Sequence, residues 1–200
     1  TIDKKENLRL SGEKYNDLLS MGIKEYELDP FIPLLKDDFV NSKIKCLAFS
    51  YFHGWHPQSN YYYTVQNSDF QISDERTIGT YTKSGSIDDK MDHFYYHSYY
   101  IKFGMGRATH DASQEIRNGD ISIDEGKNLI RKFDGEFPEK VEKDIYKFWT
   151  IDKESFPDKI VKLFEQPELN REYYENLSNY FRSPHIWKKT NKGFELRKKE

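Results

Sequence analysis

Apolar positions along the chain fall into blocks of different period. From Ile44 to Phe52 the run Ile-Lys-Cys-Leu-Ala-Phe-Ser-Tyr-Phe is apolar beyond strict alternation. That pattern belongs to a strand covered on both faces of an α/β sheet, and it predicts a buried strand with Cys46 packed in the core. Gly54 ends the run, and Pro57 suits the first turn of a helix over 57–67 that carries Tyr61, Tyr62 and Tyr63. Residues 68–91 hold Ser, Asp, Gly and Thr with little apolar periodicity, which predicts a long loop of the kind that often carries function. Met91 to Phe103 then sets Phe94, Tyr95, Tyr96, Tyr99, Tyr100 and Phe103 round most of a helical circumference, predicting a central, buried helix.

Punctuation residues divide the remainder. Upstream, residues 12–21 suit a short helix ended by Gly22, and Asp29 to Pro33 breaks the chain. Gly104 and Gly106 interrupt the aromatic helix, Thr109 is placed to cap a helix reaching Asn118, and Gly119 suits its left-handed stop. Ser122 and Glu125 have the spacing of a capping box for a helix to Phe133. Beyond Gly135 the pattern predicts helices near 138–149, 153–165 and 170–182. Residues 185–189 and 194–198 flank Thr-Asn-Lys-Gly, predicting a hairpin with Trp187 and Phe194 on its packed face. The fold class that follows is α/β to mostly α: a sheet-bearing part over 1–67, then a helical region with a terminal hairpin over 68–200.

Composition narrows the function classes. The near-balance of 31 Lys+Arg against 34 Asp+Glu in 200 residues argues against a nucleic-acid arm or an anionic-membrane anchor. Leu, Ile, Val and Phe supply 47 residues, enough for a folded core that leans on aromatics. The longest stretch without a charged residue, Cys46 to Ser68, contains two His, a Pro and several amides, so it is no membrane span. A lone cysteine and the lack of a secretory signal make the cytoplasm the default location. The chain opens on Thr1 with polar residues, so we expect an upstream part.

The densest polar set lies between Tyr81 and Arg117. Lys102-Phe-Gly-Met-Gly-Arg107 places two cations and two glycines before a helix N-terminus, where free N–H groups attract anions; a tight turn between packed helices is the plainer reading. Gly-x-Gly-x-x-Thr lacks the third glycine of a dinucleotide fingerprint and follows no strand. Lys83 sits among small residues that let a ligand approach the backbone, or is an ordinary loop lysine. Asp88 and Asp89 suit a metal or an amine, or act as helix caps. Asp111 and Glu115, four apart, are candidate bases or structural partners of Arg107 and Arg117. His93 and His97 share the spacing of a zinc pair, but no third ligand stands out, which favours buried histidines. Trp55, Trp149, Trp187 and the tyrosines offer a sugar-stacking platform or simply core.

Five ordered blocks carry a resemblance. Gly79-Thr-Tyr-Thr-Lys83, Ser86-Ile-Asp-Asp-Lys90, Tyr100 to Gly119, Phe133-Asp-Gly-Glu-Phe-Pro138 and Phe181 to Lys189 resemble the C-terminal half of the N-acetyl sugar amidotransferases, over roughly residues 12–199. Ser50 to Pro57 matches a further block, in which His56 stands where the family usually has Asp. The resemblance implies a PP-loop ATP pyrophosphatase of Rossmann-like α/β fold, with ATP and Mg²⁺ held by an N-terminal half. Its Ser-Gly-Gly-x-Asp-Ser loop does not occur in these residues, and this stretch is expected to hold at most the sheet's last strand or strands.

The implied reaction converts a sugar acetamido group to acetamidino for O-antigen or flagellin-type nonulosonic-acid glycans. An amide resists ammonia, so its oxygen must first become a leaving group. Adenylation releases pyrophosphate, and ammonia then displaces AMP to leave a cationic amidine. Such a site needs cations for phosphates and a carboxylate for the growing positive charge. On that logic Lys83, Lys102 and Arg107 are assigned to phosphate, Asp88 and Asp111 to orientation or proton removal, and Tyr81, Asp89 and Glu115 to the sugar. Implied partners are a nucleotide-sugar or nonulosonic-acid substrate and a glutaminase with a cyclase-like subunit that supplies ammonia. The competing class is a non-catalytic helical module binding sugar or a partner. Thiolation of RNA is weakened by the missing basic groove.

Overall fold

The computed structural model describes residues 4–10, 12–150 and 169–197, so the helix expected over 153–165 lies outside the described residues. Two compact units emerge, one up to Gly54 and one beginning at Trp55.

In the first unit, β1 (Arg9–Leu10) pairs antiparallel with β2 (Glu13–Lys14), followed by α1 (Tyr15–Ser20), α2 (Glu25–Leu28), α3 (Lys36–Asn41) and a single turn, α4 (Phe49–Phe52). Its small core is Leu8, Tyr15 and Leu28. The strand expected from Ile44 to Phe52 does not form, and this corrects the sequence reading. Residues 44–48 are irregular, Leu47 and Phe49 are 68% and 74% exposed, and Cys46 is exposed rather than packed. A doubly covered strand needs strand neighbours to take up its N–H and C=O groups. Among the described residues the two sheets are closed two-stranded pairs, β1 with β2 and, in the second unit, β3 (Trp187–Thr190) with β4 (Gly193–Leu196), so no ladder receives this run.

The second unit is helical: α5 (Pro57–Asn67), α6 (Met91–Phe103), α7 (Arg107–Asn118), α8 (Ile123–Phe133), α9 (Glu142–Trp149) and α10 (Arg171–Tyr180), then the β3–β4 hairpin. Pro57 opens α5 at N1, and Ser122 Oγ accepts the Glu125 N–H at 3.2 Å to cap α8. No strand or helix interrupts residues 68–90, the predicted long loop.

The core is built around Phe94, which is fully buried and meets Phe137, Tyr146, Trp149 and Tyr174 edge-on at 5.1–5.7 Å between centroids. Of α6 only Phe94 and Ile101 are buried; Tyr95 is 57% exposed, so the helix is less enclosed than its aromatic content suggests. The hairpin docks on the end of α6, where Trp187 Nε1 donates to the Ile101 carbonyl at 2.6 Å and the Arg182 guanidinium lies between the Trp187 and Phe194 rings. Gly119, at φ +82°, turns the chain so that α8 returns along α7, and Gly126 lets the two helices close on Ile116 and Ala112. Among the described residues no helix is long and apolar enough to cross a membrane.

Candidate functional site

Helix α7 presents Arg107, Asp111 and Glu115 at four-residue spacing, which places them on one stripe. The loop over 77–85 lies against that stripe. It is closed on itself by Thr77 N–H to the Thr82 carbonyl (2.9 Å) and Thr77 Oγ1 to the Gly85 carbonyl (2.8 Å), and joined to α7 by Ala108 N–H to the Gly79 carbonyl (3.0 Å). Successive loop residues then address successive carboxylates: Thr80 Oγ1 donates to Asp111 Oδ2 at 2.6 Å, and Tyr81 Oη donates to Glu115 Oε2 at 2.7 Å. Burial first, and then the hydrogen bond to Glu115, push the Tyr81 phenol well above its ordinary value, so Tyr81 remains a proton donor.

Arg107 is anchored from three sides. Its guanidinium lies 4.3 Å from the Tyr96 ring centroid, Nη1 donates to Ser86 Oγ at 2.8 Å, and Nε sits 3.6 Å from Asp111. The Ser86 hydroxyl donates to Asp92 Oδ2 at 2.9 Å, and Ser86 holds a positive φ of +52°, a costly backbone for a serine. A methyl group on Gly85 would come within 2.4 Å of Arg107 Nη2, so a glycine is what lets the side chain cross the loop.

The N-terminus of α7 is not an open anion site, which corrects the sequence reading of the Lys102–Arg107 turn. Asp134 fills it: its carboxylate accepts from Gly106 N–H (2.9 Å), Thr109 N–H (3.1 Å) and the Thr109 hydroxyl. Thr109 stands inside the helix and Gly106 is the N-cap. Next to Asp134, Glu136 pairs twice with Arg76 (2.7 and 2.8 Å) and accepts the Gly79 N–H, so the turn after α8 fixes both the loop and the start of α7. The Arg76 hydrogen bond holds the Glu136 carboxyl below its ordinary range.

Two adjoining cavities of about 270 and 280 Å³ open beside this stripe and share Pro57, Thr82, Ser84 and Glu115. The first adds Trp55, Arg107, His110, Asp111 and Gln114; the second adds Gln58, Lys83, Tyr61, Tyr62 and Ile72. Of the predicted residues, Lys83, Arg107, Asp111 and Glu115 therefore come together, with Tyr81 bonded to Glu115. Lys102 does not join them: its ammonium lies over the Phe103 ring. Asp88 lines neither cavity, and Asp89 accepts the Met91 N–H at 2.7 Å, a cap at the start of α6. His97 is half-buried, its Nδ1 3.2 Å from the Glu136 carbonyl, and among the described residues no three His, Cys, Asp or Glu gather as a metal set. His56 does with its ring what a carboxylate does at an N-cap, Nδ1 accepting the Ser59 N–H at 3.3 Å while Nε2 faces Asp120 at 3.4 Å.

Sequence reasoning missed Asp134, Thr80, Gln58 and Gln114. A signal existed for Asp134: the short connection after Gly119 requires α8 to run back along α7, which brings the residue after α8 to the start of α7. The cavity walls thus offer one guanidinium, two carboxylates, an ammonium at the edge and an exposed indole whose Nε1 is held by Gln114 at 2.9 Å. Such a wall is suited to a polar ligand that carries both an anionic group and N–H or O–H donors.

Comparison with known families gives a match over more than half of the chain. Residues 75–199 match the family model described as "LPS biosynthesis protein WbpG-like, C-terminal domain". No curated protein matches the chain.

Proposed function

The chain belongs to the WbpG-like family of LPS biosynthesis proteins, whose C-terminal domain it carries, and from that premise we propose that it forms part of an ATP-dependent amidotransferase converting a sugar acetamido group to an acetamidino group. The observation that supports this reading most is the single wall on which Arg107, Asp111 and Glu115 stand together, with Lys83 beside it. Amide activation asks for positive charge near a phosphorus centre and negative charge near the incoming nitrogen, within one ligand's length.

ATP, bound with a PP-loop half joined to this chain, supplies the adenylyl group that turns the acetamido oxygen into a leaving group. Arg107 and Lys83 are the groups that would face its phosphates; the α7 amides, already bonded to Asp134, are not. Lys102 and Asp88 receive no role. Among the described residues no three His, Cys, Asp or Glu gather as a ligand set for Mg²⁺. Asp111, steadied by Thr80, orients the attacking ammonia and receives its proton. Glu115 and Tyr81 hold the reacting nitrogen, and Trp55 covers a face of the sugar. Ammonia is delivered by a glutaminase with a cyclase-like subunit. The reaction serves an O-antigen or nonulosonic-acid glycan, on a nucleotide-linked or free sugar, in the cytoplasm.

An isotope experiment tests the chemistry. With ¹⁸O in the acetamido oxygen and this chain joined to a PP-loop half, the label should leave in AMP. Label in orthophosphate, or label retained in the sugar product, contradicts the reading.

A further inference from the structure

Glu115 is only 7% exposed, yet it lines both cavities. Its oxygens are met by neutral donors alone, Tyr81 Oη at 2.7 Å and Gln58 Nε2 at 3.3 Å. Among the described residues it forms no ion pair. Neither nearby cation is spent on Glu115: Arg107 lies 3.6 Å from Asp111 and 3.7 Å from Asp92, and Lys83 Nζ is turned to the Asp74 carbonyl at 2.9 Å. Arg107 therefore leaves the wall of the first cavity with one negative charge in excess, and that charge is buried. A carboxylate taken out of water is costly unless a cation meets it, so the cavity favours a ligand that brings one.

We propose that the Glu115 end of the cavity is a charge-selecting subsite that takes a small planar organic cation, an amidinium, in preference to the neutral amide of the same shape. Planar N–H pairs match a carboxylate in a bidentate fork, and the Trp55 indole on the same cavity wall suits a flat cation. The demand for a cation follows from the charges in the wall. Its identity as an amidinium rests on the reading of the preceding subsection. On that reading the subsite holds the acetamidino product more tightly than the acetamido substrate, and Glu115 becomes a specificity-determining residue.

The test uses the 200-residue chain and two probes, acetamidinium chloride and acetamide, titrated while the Trp55 indole N–H and the Gln58 side-chain amide are followed by NMR. Acetamidinium should bind at least tenfold more tightly than acetamide, with shifts at both reporters, and in Glu115→Gln the ratio should fall to about one. Equal or undetectable binding of the two probes, or a preference that survives Glu115→Gln, overturns the proposal. Should Glu115→Gln fail to fold, a third probe on the wild type decides: guanidinium chloride, a planar cation with the same paired N–H groups, should also bind at least tenfold more tightly than acetamide with shifts at both reporters, and guanidinium binding no tighter than acetamide overturns the proposal. Binding here and oxygen transfer in the isotope experiment can fail independently, which separates the two claims.

Discussion

Replacing Asp134 by Ala probes the device that sets Arg107 in place. The carboxylate accepts two α7 backbone N–H groups and the Thr109 hydroxyl. Hydrogen bonds to a charged group contribute about 1.5–3 kcal/mol each and do not add, and a carboxylate at a helix N-terminus adds about 0.3–1 kcal/mol. We therefore expect a loss of about 3 kcal/mol, read by calorimetry as a fall in Tm of roughly 6–12 °C. Asp134→Asn, which keeps an acceptor oxygen, should lose about half as much. The variant also exposes the N–H groups that Asp134 satisfied, so sulfate should bind there. At about ten times its Kd, sulfate would restore roughly 1.4 kcal/mol to Asp134→Ala beyond its general effect on the wild type. A loss under about 0.5 kcal/mol, or equal sulfate stabilisation of both proteins, would refute the claim that Asp134 is an internal anion at this helix end.

Other consequences follow from the same contacts. Phe94→Ala empties a fully buried site ringed by four aromatics and should cost about 3–5 kcal/mol in chemical denaturation; a cost under 1 kcal/mol would deny Phe94 its place at the centre of the core. Gly85→Ala should displace the Arg107 side chain, visible as a change in the Arg107 Nε–H resonance with the fold retained, and an unchanged resonance would show the crossing to be loose. Burial holds the His97 imidazole below its ordinary value, so the folded state resists protonation while the unfolded chain accepts it below about pH 6.5. Stability should therefore be full above that pH and fall as the pH drops through the folded-state value. His97→Gln should flatten that slope, and an identical slope in both proteins would exclude His97 as its source.

How far the sequence reaches depends on whether an element is decided locally. α5, α6, α8 and the hairpin stand within a residue or two of the expected positions, because Pro57, Gly104, Ser122 and the turn before Gly193 act over a few neighbours. The Ile44–Phe52 run failed for the opposite reason: composition can ask for a buried strand, but only pairing partners make one. The candidate site divides along the same line. Arg107, Asp111 and Glu115 were legible as a helical stripe, since their spacing is local. That Asp134 rather than an outside anion meets the α7 N-terminus depends on α8 folding back, and that Lys102 lies over Phe103 and lines neither cavity depends on the helix break at Gly104 and Gly106 that separates it from Arg107. Thr80 and Tyr81 gain their roles only through the loop that closes over α7, a long-range event that a propensity argument cannot see.

In the proposed function Arg107 would face the phosphates of a nucleotide in the cavity beside α7. The most direct test of that role is pyrophosphate release that depends on the N-acetyl sugar, measured with this chain joined to a PP-loop half, in the wild type and in Arg107→Ala. A rate at least tenfold lower is expected in the variant with the fold retained, and an unchanged rate would remove Arg107 from the phosphate site.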